Sequence, residues 1–107
     1  MTGFDEREKG FERKFEHDQE LAFKVRSRRR KLLGLWAAEK LGLTGTAAEA
    51  YADELARLGL HRGGDQEEAE HIARDLAAKG VTIDVAHIML EAERCEREAK
   101  KQLGGAS

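Results

Sequence analysis

Two carboxylates stand three residues ahead of a histidine, in Glu68-x-x-His71 and Asp84-x-x-His87. Paired Glu-x-x-His motifs on facing helices are how carboxylate-rich bundles hold two metal ions. Here both carboxylates fall at the cap or first turn of a helical segment, where they can satisfy free backbone amides. Glu68 also falls beside the Ala69/Ile72/Leu76 stripe rather than in it. Capping accounts for the pattern, and no metal is expected.

Other chemistry is sparse. The sequence has no G-x-S-x-G, no phosphate-cradling G-x-x-x-x-G-K-[ST] and no Cys-His pair with supporting context. The single cysteine, Cys95, reads as a small buried apolar residue. His17, His61, His71 and His87 fall mostly at surface or helix-start positions. These features predict a protein that is not an enzyme and has no resident cofactor.

The strongest local signal is cationic. Lys24, Arg26, Arg28, Arg29, Arg30 and Lys31 have no acid among them, yet the chain carries a net charge of -2 and a pI of about 6.1. Bulk attraction to nucleic acid or anionic lipid is therefore excluded, and any anion site must be local. Lys24, Arg26, Arg28, Arg30 and Lys31 are candidates for the phosphates of a nucleotide or for an acidic protein surface. Their plainest reading is a solvated helix face. No interleaved aromatic platform or base-reading motif accompanies them, so nucleic acid is not the expected partner.

The elements positioning these residues are helical. The chain has 107 residues and no proline, with 37% charged and 6% aromatic residues, which suits one small helical domain. Asp5 and Glu8 open a first helix that stops at Gly42, about 37 residues and about 55 Å long. A second helix starts near Thr46, with Glu49 completing its capping box, and stops at Gly59. Asp65 and Glu68 open a third after the Gly63-Gly64 turn, and Gly80 ends it. Asp84 caps a fourth, running to about Leu103, and residues 104–107 form a flexible tail. No apolar run reaches the roughly 18 residues of a membrane span. With an acidic start and one cysteine, the expectation is a cytoplasmic protein.

The later helices carry core stripes at Ala48/Tyr51/Ala52/Leu55, Ala69/Ile72/Ala73/Leu76 and Ile88/Ala92/Cys95/Ala99. On the first helix, Ala22, Val25, Arg29, Leu32, Leu33 and Trp36 share a side. Lys24, Arg28 and Lys31 lie opposite, and Arg26 and Arg30 flank it. Gly34 falls on the outer face, and Phe23 and Leu35 fall off the stripe. Projected backwards, the stripe takes in Phe4, Phe11 and Phe15. Helices two to four reach no more than about 30 Å, so the first third of helix one outlasts them.

An isolated helix of about 15 residues is marginal in water, and Gly10 weakens this one by about 1 kcal/mol. Residues 1–17 are thus expected to be frayed or disordered when free, with residues 18–103 forming the bundle. Burying three phenylalanines returns roughly 5 to 9 kcal/mol gross, against about 2 to 5 kcal/mol for coupled ordering. Arg7, Glu8, Glu12 and Arg13 are then needed as polar contacts to a partner. Three readings follow: a segment that folds onto a partner, an antiparallel homodimer, and a nucleic-acid or nucleotide-binding module on the Lys24–Lys31 face.

The sequence resembles the α-proteobacterial zeta-type inhibitor subunit of the rotary ATP synthase over nearly its whole length. Phe4-Asp5-x-Arg7, Phe11-x-x-x-Phe15-x-His17-Asp18, Phe23-Lys24 and above all Lys31-Leu-Leu-Gly-Leu-Trp-Ala-Ala-Glu39 carry the match. Ala48-x-x-Tyr51-Ala52 and the Asp75-Leu76 to Gly80-Val81 turn agree in spacing. The resemblance implies an all-α four-helix bundle, monomeric when free, with a mobile N-terminal segment. That segment becomes helical in a catalytic interface of the ATP synthase head, against its α and β subunits and the central rotor. It also implies Phe4, Asp5, Arg7, Glu8, Phe11, Glu12, Arg13 and Phe15 as the inhibitory segment and nucleotide as a candidate ligand. Gly10 and the glycine-rich Gly59–Gly64 connection depart from what the resemblance leads one to expect.

Overall fold

The computed structural model describes the backbone of residues 2–62 and 64–104 and the side chains of residues 18–58 and 64–103. Four helices follow one another: α1 (Thr2–Lys40), α2 (Gly45–Arg62), α3 (Asp65–Ala78) and α4 (Val85–Gly104). No strand occurs among the described residues. The protein is an all-α four-helix bundle. Its helices are neighbours around a square, α1 against α2 and α4, with α3 closing onto α4 and α2; α1 and α3 touch only sparsely across one diagonal.

Glycine ends two of the helices by a shared geometry. Gly42 and Gly80 take φ of 81° and 80°, a left-handed conformation that costs glycine little. The amides of Gly42 and Leu43 bond back to the carbonyls of Glu39 and Ala38, and those of Gly80 and Val81 to Ala77 and Leu76. Val81 packs against the core just beyond its turn. At the start of α4, Asp84 Oδ1 accepts the His87 amide at 2.8 Å, the cap expected from sequence.

Two boundaries differ from expectation. Gly59 does not stop α2, which runs on to Arg62. A mid-helix glycine costs about 1 kcal/mol, and the packing of Leu55 and Leu58 on the core outweighs it. Nor do Asp65 and Glu68 build a capping box for α3. Its N-cap is Gly64, without a side-chain hydrogen bond, because both carboxylates are turned toward arginines of α1.

Leu33, Ala37, Leu55, Ile72, Leu76, Ile88 and Cys95 form the centre of the core, each about 1% exposed or less. The stripes of α3 and α4 bury as their spacing requires. Ala22, by contrast, is exposed although it shares the α1 stripe.

Gly34 overturns the outer-face assignment. It is buried, and a Cβ built on it would stand 2.6 Å from Ala52 Cα and 2.8 Å from Ala52 Cβ. α1 and α2 therefore cross backbone to backbone at Gly34 and Ala52. A small residue on each helix permits this approach, which is why α1 buries a face wider than its large apolar residues mark out.

The lengths of the helices are unequal. α1 has 39 residues, about 58 Å of rise, whereas α2, α3 and α4 have 18, 14 and 20. The molecule measures 67 × 24 × 21 Å.

Candidate functional site

The root of α1 is fixed by polar contacts as well as by the core. Arg29 lies on the apolar stripe and is 6% exposed, so its charge needs a partner. Its Nη2 donates to Asp65 Oδ1 at 2.7 Å. One turn along α3, Glu68 is 4% exposed. Arg30 Nε stands 4.0 Å from Glu68 Oε2, an ion pair too long for a hydrogen bond. Among the described residues, neither Glu68 oxygen nor Arg30 Nε has a hydrogen-bond partner. Burial pushes the Glu68 carboxyl above its ordinary range, against the opposing pull of Arg29 and Arg30. The two arginines thus span the α1–α3 diagonal, a gap that shorter side chains would leave open.

A second polar cluster joins α2 to α3. Tyr51 Oη donates to Asp75 Oδ2 at 2.8 Å, and His71 Nε2 lies 3.1 Å from the same oxygen. Burial first, and then the Asp75 carboxylate, raise the Tyr51 phenol above its usual value. At the C-terminal end of α1, Trp36 stacks on His87 with centroids 6.3 Å apart. Lys40 Nζ, one turn further along α1, lies over the same indole at 5.9 Å, a cation–π contact within the helix; the Trp36–His87 stack is what joins α1 to α4.

The members of the two carboxylate–histidine motifs have separate partners. Glu68 faces α1, His71 is held by Asp75, and Asp84 caps α4. Among the described residues, no three His, Cys, Asp or Glu side chains form a metal-binding group. Cys95 is wholly buried, and burial raises its thiol above its ordinary value.

The basic run divides in two. Lys24, Arg26, Arg28 and Lys31 are exposed, with Lys24 3.4 Å from Glu20 on the neighbouring turn. Arg30, on the flank of the stripe and grouped from sequence with the candidate anion-binding cations, has a side chain only 14% exposed and is directed to Glu68. Sequence reasoning missed the partners of Arg29 and Arg30. The available signal was Arg29 itself, a cation on an apolar stripe.

Among the described residues, the end of α4 faces α1 from Asp18 onward. Lys100 and Leu103, near the end of α4, line clefts with Asp18, Leu21, Ala22 and Val25 on one side and with Phe23 and Lys24 on the other. Phe4, Asp5, Arg7, Glu8, Phe11, Glu12, Arg13 and Phe15 lie N-terminal to these clefts. The backbone of residues 2–17 belongs to α1 and Gly104 ends α4, while the side chains of residues 1–17 and residues 105–107 of the expected tail lie outside the described residues.

The sequence model of the family described as ATPase inhibitor subunit zeta matches residues 1–102. The chain belongs to this family. No curated protein and no solved structure matches it significantly. Membership in the zeta family makes the chain a regulatory subunit directed at an ATPase, with the ATP synthase as the implied partner. The match takes in the long α1 together with the bundle. Among the described residues, no helix is long and apolar enough to cross a membrane.

Proposed function

We propose that this zeta-family protein inhibits ATP hydrolysis by lodging residues 1–17, as the projecting end of α1, in a catalytic α/β interface of the ATP synthase head near the rotor. The observation that carries the reading is the mismatch between α1, with 39 residues, and α4, with 20. At helical spacing Phe4, Phe11 and Phe15 continue the stripe of Val25 and Leu33 beyond the reach of α4. The cleft would cover these rings, while Asp5, Arg7, Glu8, Glu12 and Arg13 would set the register through polar contacts.

Burial of the rings supplies the driving force and the charged groups supply specificity. A helix wedged between α and β holds the interface in one conformation, so the head cannot pass to the next step of hydrolysis. The block acts on a conformational step and requires no catalytic group on the inhibitor.

Titration of the protein into the purified ATPase head, with a Phe11→Ala/Phe15→Ala variant alongside, tests this reading. Inhibition should be lost or shifted to much higher concentration in the variant, with its thermal unfolding unchanged. Equal inhibition by both proteins would remove the wedge.

A further inference from the structure

We propose that the Phe23 face of α1 is a second docking surface, which takes an acidic protein surface bearing an apolar side chain. The proposal rests on the inhibitor reading for the identity of the partner, the ATPase head, and adds a contact outside the catalytic cleft.

Phe23 is 55% exposed, although every other large apolar side chain described on α1 is at least partly covered. It borders an open cleft of about 310 Å³ with Ser27, Leu103 and the cations Lys24, Arg28 and Lys31. On a helix these positions of α1 fall within one arc of about 140°. Arg28 and Lys31 have no ion pair among the described residues. Lys24 and Glu20 are both more than half exposed, so their pairing is weak and readily exchanged.

The chemistry of the face selects its occupant. These residues lie in the middle of a helix, where each amide is already bonded four residues back, so no backbone N–H is aimed at the cleft. A small phosphate would find only long flexible side chains, without the amide cradle of a helix N-terminus. Nor would it use the apolar edge made by Phe23 and Leu103. Duplex DNA would meet a short cationic patch on a chain of net charge -2, giving few phosphate contacts. A carboxylate-rich protein surface with one aliphatic side chain satisfies the cations and covers the ring together. Aromatic residues and arginine are the side chains most often found to anchor such interfaces.

The helix also supplies the connection. Phe15 and Phe23 are eight residues apart, about 12 Å along one continuous helix. Contacts at the two places engage the head together, each raising the effective concentration of the other.

The test compares full-length wild type, Arg28→Glu/Lys31→Glu, Phe23→Ala and Phe11→Ala/Phe15→Ala for direct binding to the purified head at low and moderate salt, together with inhibition. Since Phe23, Arg28 and Lys31 are exposed, unchanged circular dichroism and melting establish that the variants are folded. Charge reversal should weaken binding about tenfold or more at low salt and flatten its salt dependence. Phe23→Ala should weaken it about fivefold. Unchanged affinity and salt slope on charge reversal would overturn this surface, and loss of inhibition in the Phe11/Phe15 variant would leave the cleft reading standing. If the Phe11/Phe15 variant inhibits normally while charge reversal abolishes binding, the cleft reading fails and this surface is supported. Should a short DNA duplex bind wild type and not the charge-reversed protein, with head affinity equal for both, the face serves nucleic acid and the proposal is overturned.

Discussion

Arg29 reaches from α1 across the diagonal of the bundle to α3, where its Nη2 donates to Asp65 Oδ1 at 2.7 Å. The arginine end of the pair is 7% exposed and the aspartate end 59%. The pair is thus half buried, and the cost of breaking it depends on which partner is removed.

Asp65→Asn should lower stability by about 1 to 2 kcal/mol, since it leaves a buried cation with a weaker acceptor. Solvent access to Asp65 keeps the loss below the roughly 3 to 5 kcal/mol of a fully buried pair. Urea unfolding of Asp65→Asn, Arg29→Met and the double variant would measure the coupling. Additive losses would show that the two side chains do not act as a pair.

Glu68 gives a pH dependence of opposite sign to that of an ordinary paired carboxylate. Burial raises its folded-state pKa above the unfolded value, so the folded protein holds this proton more tightly than the unfolded chain. The charged form therefore carries a stability penalty above the raised pKa. As pH falls through that value the penalty is relieved, and it is gone below the unfolded carboxylate range. Glu68→Gln should be at least as stable as wild type at neutral pH, with the difference closing on acidification. A difference that stays constant between neutral pH and the ordinary carboxylate range would contradict this.

Gly34→Ala should destabilise the bundle by about 1 to 3 kcal/mol, the usual cost of overpacking, despite a gain of about 1 kcal/mol in helix propensity. The new methyl group meets Ala52 backbone and Cβ at distances that force α1 and α2 apart. A rise in melting temperature would mean that the helices cross less closely than this.

Gly10→Ala should strengthen inhibition. If residues 1–17 gain order on binding, removing about 1 kcal/mol of helix cost lowers the half-inhibition concentration roughly fivefold. Helicity of the free protein by circular dichroism should rise in parallel. Greater helicity without tighter inhibition would separate helix formation from the block.

Much of this arrangement was legible from spacing. The stripes of α3 and α4, the turns at Gly42 and Gly80, the Asp84 cap and the excess length of α1 all follow from local pattern, because a helix writes its buried face into the sequence every third or fourth residue. The α1 root was less legible. Gly34 looks outward on a wheel drawn from large apolar residues, yet it is buried because Ala52 opposes it, and that pairing joins residues 18 positions apart on different helices. Glu68 and Asp65 look like caps because capping is the local use of a carboxylate at a helix start. Their actual partners, Arg30 and Arg29, lie more than 30 residues away in sequence, where no local rule reaches. Arg30, which its helical phase places on the flank of the stripe, consequently turns inward to Glu68 and leaves the group of candidate anion-binding cations.

The only tryptophan of the chain, clasped between His87 and Lys40, sits 19 residues along α1 from His17, about 29 Å of rise. Native fluorescence will therefore watch the body of the molecule melt while remaining blind to whatever its far end is doing. An investigator can follow integrity with the indole and occupancy with a dye placed near the first residues, reading two independent signals from one sample.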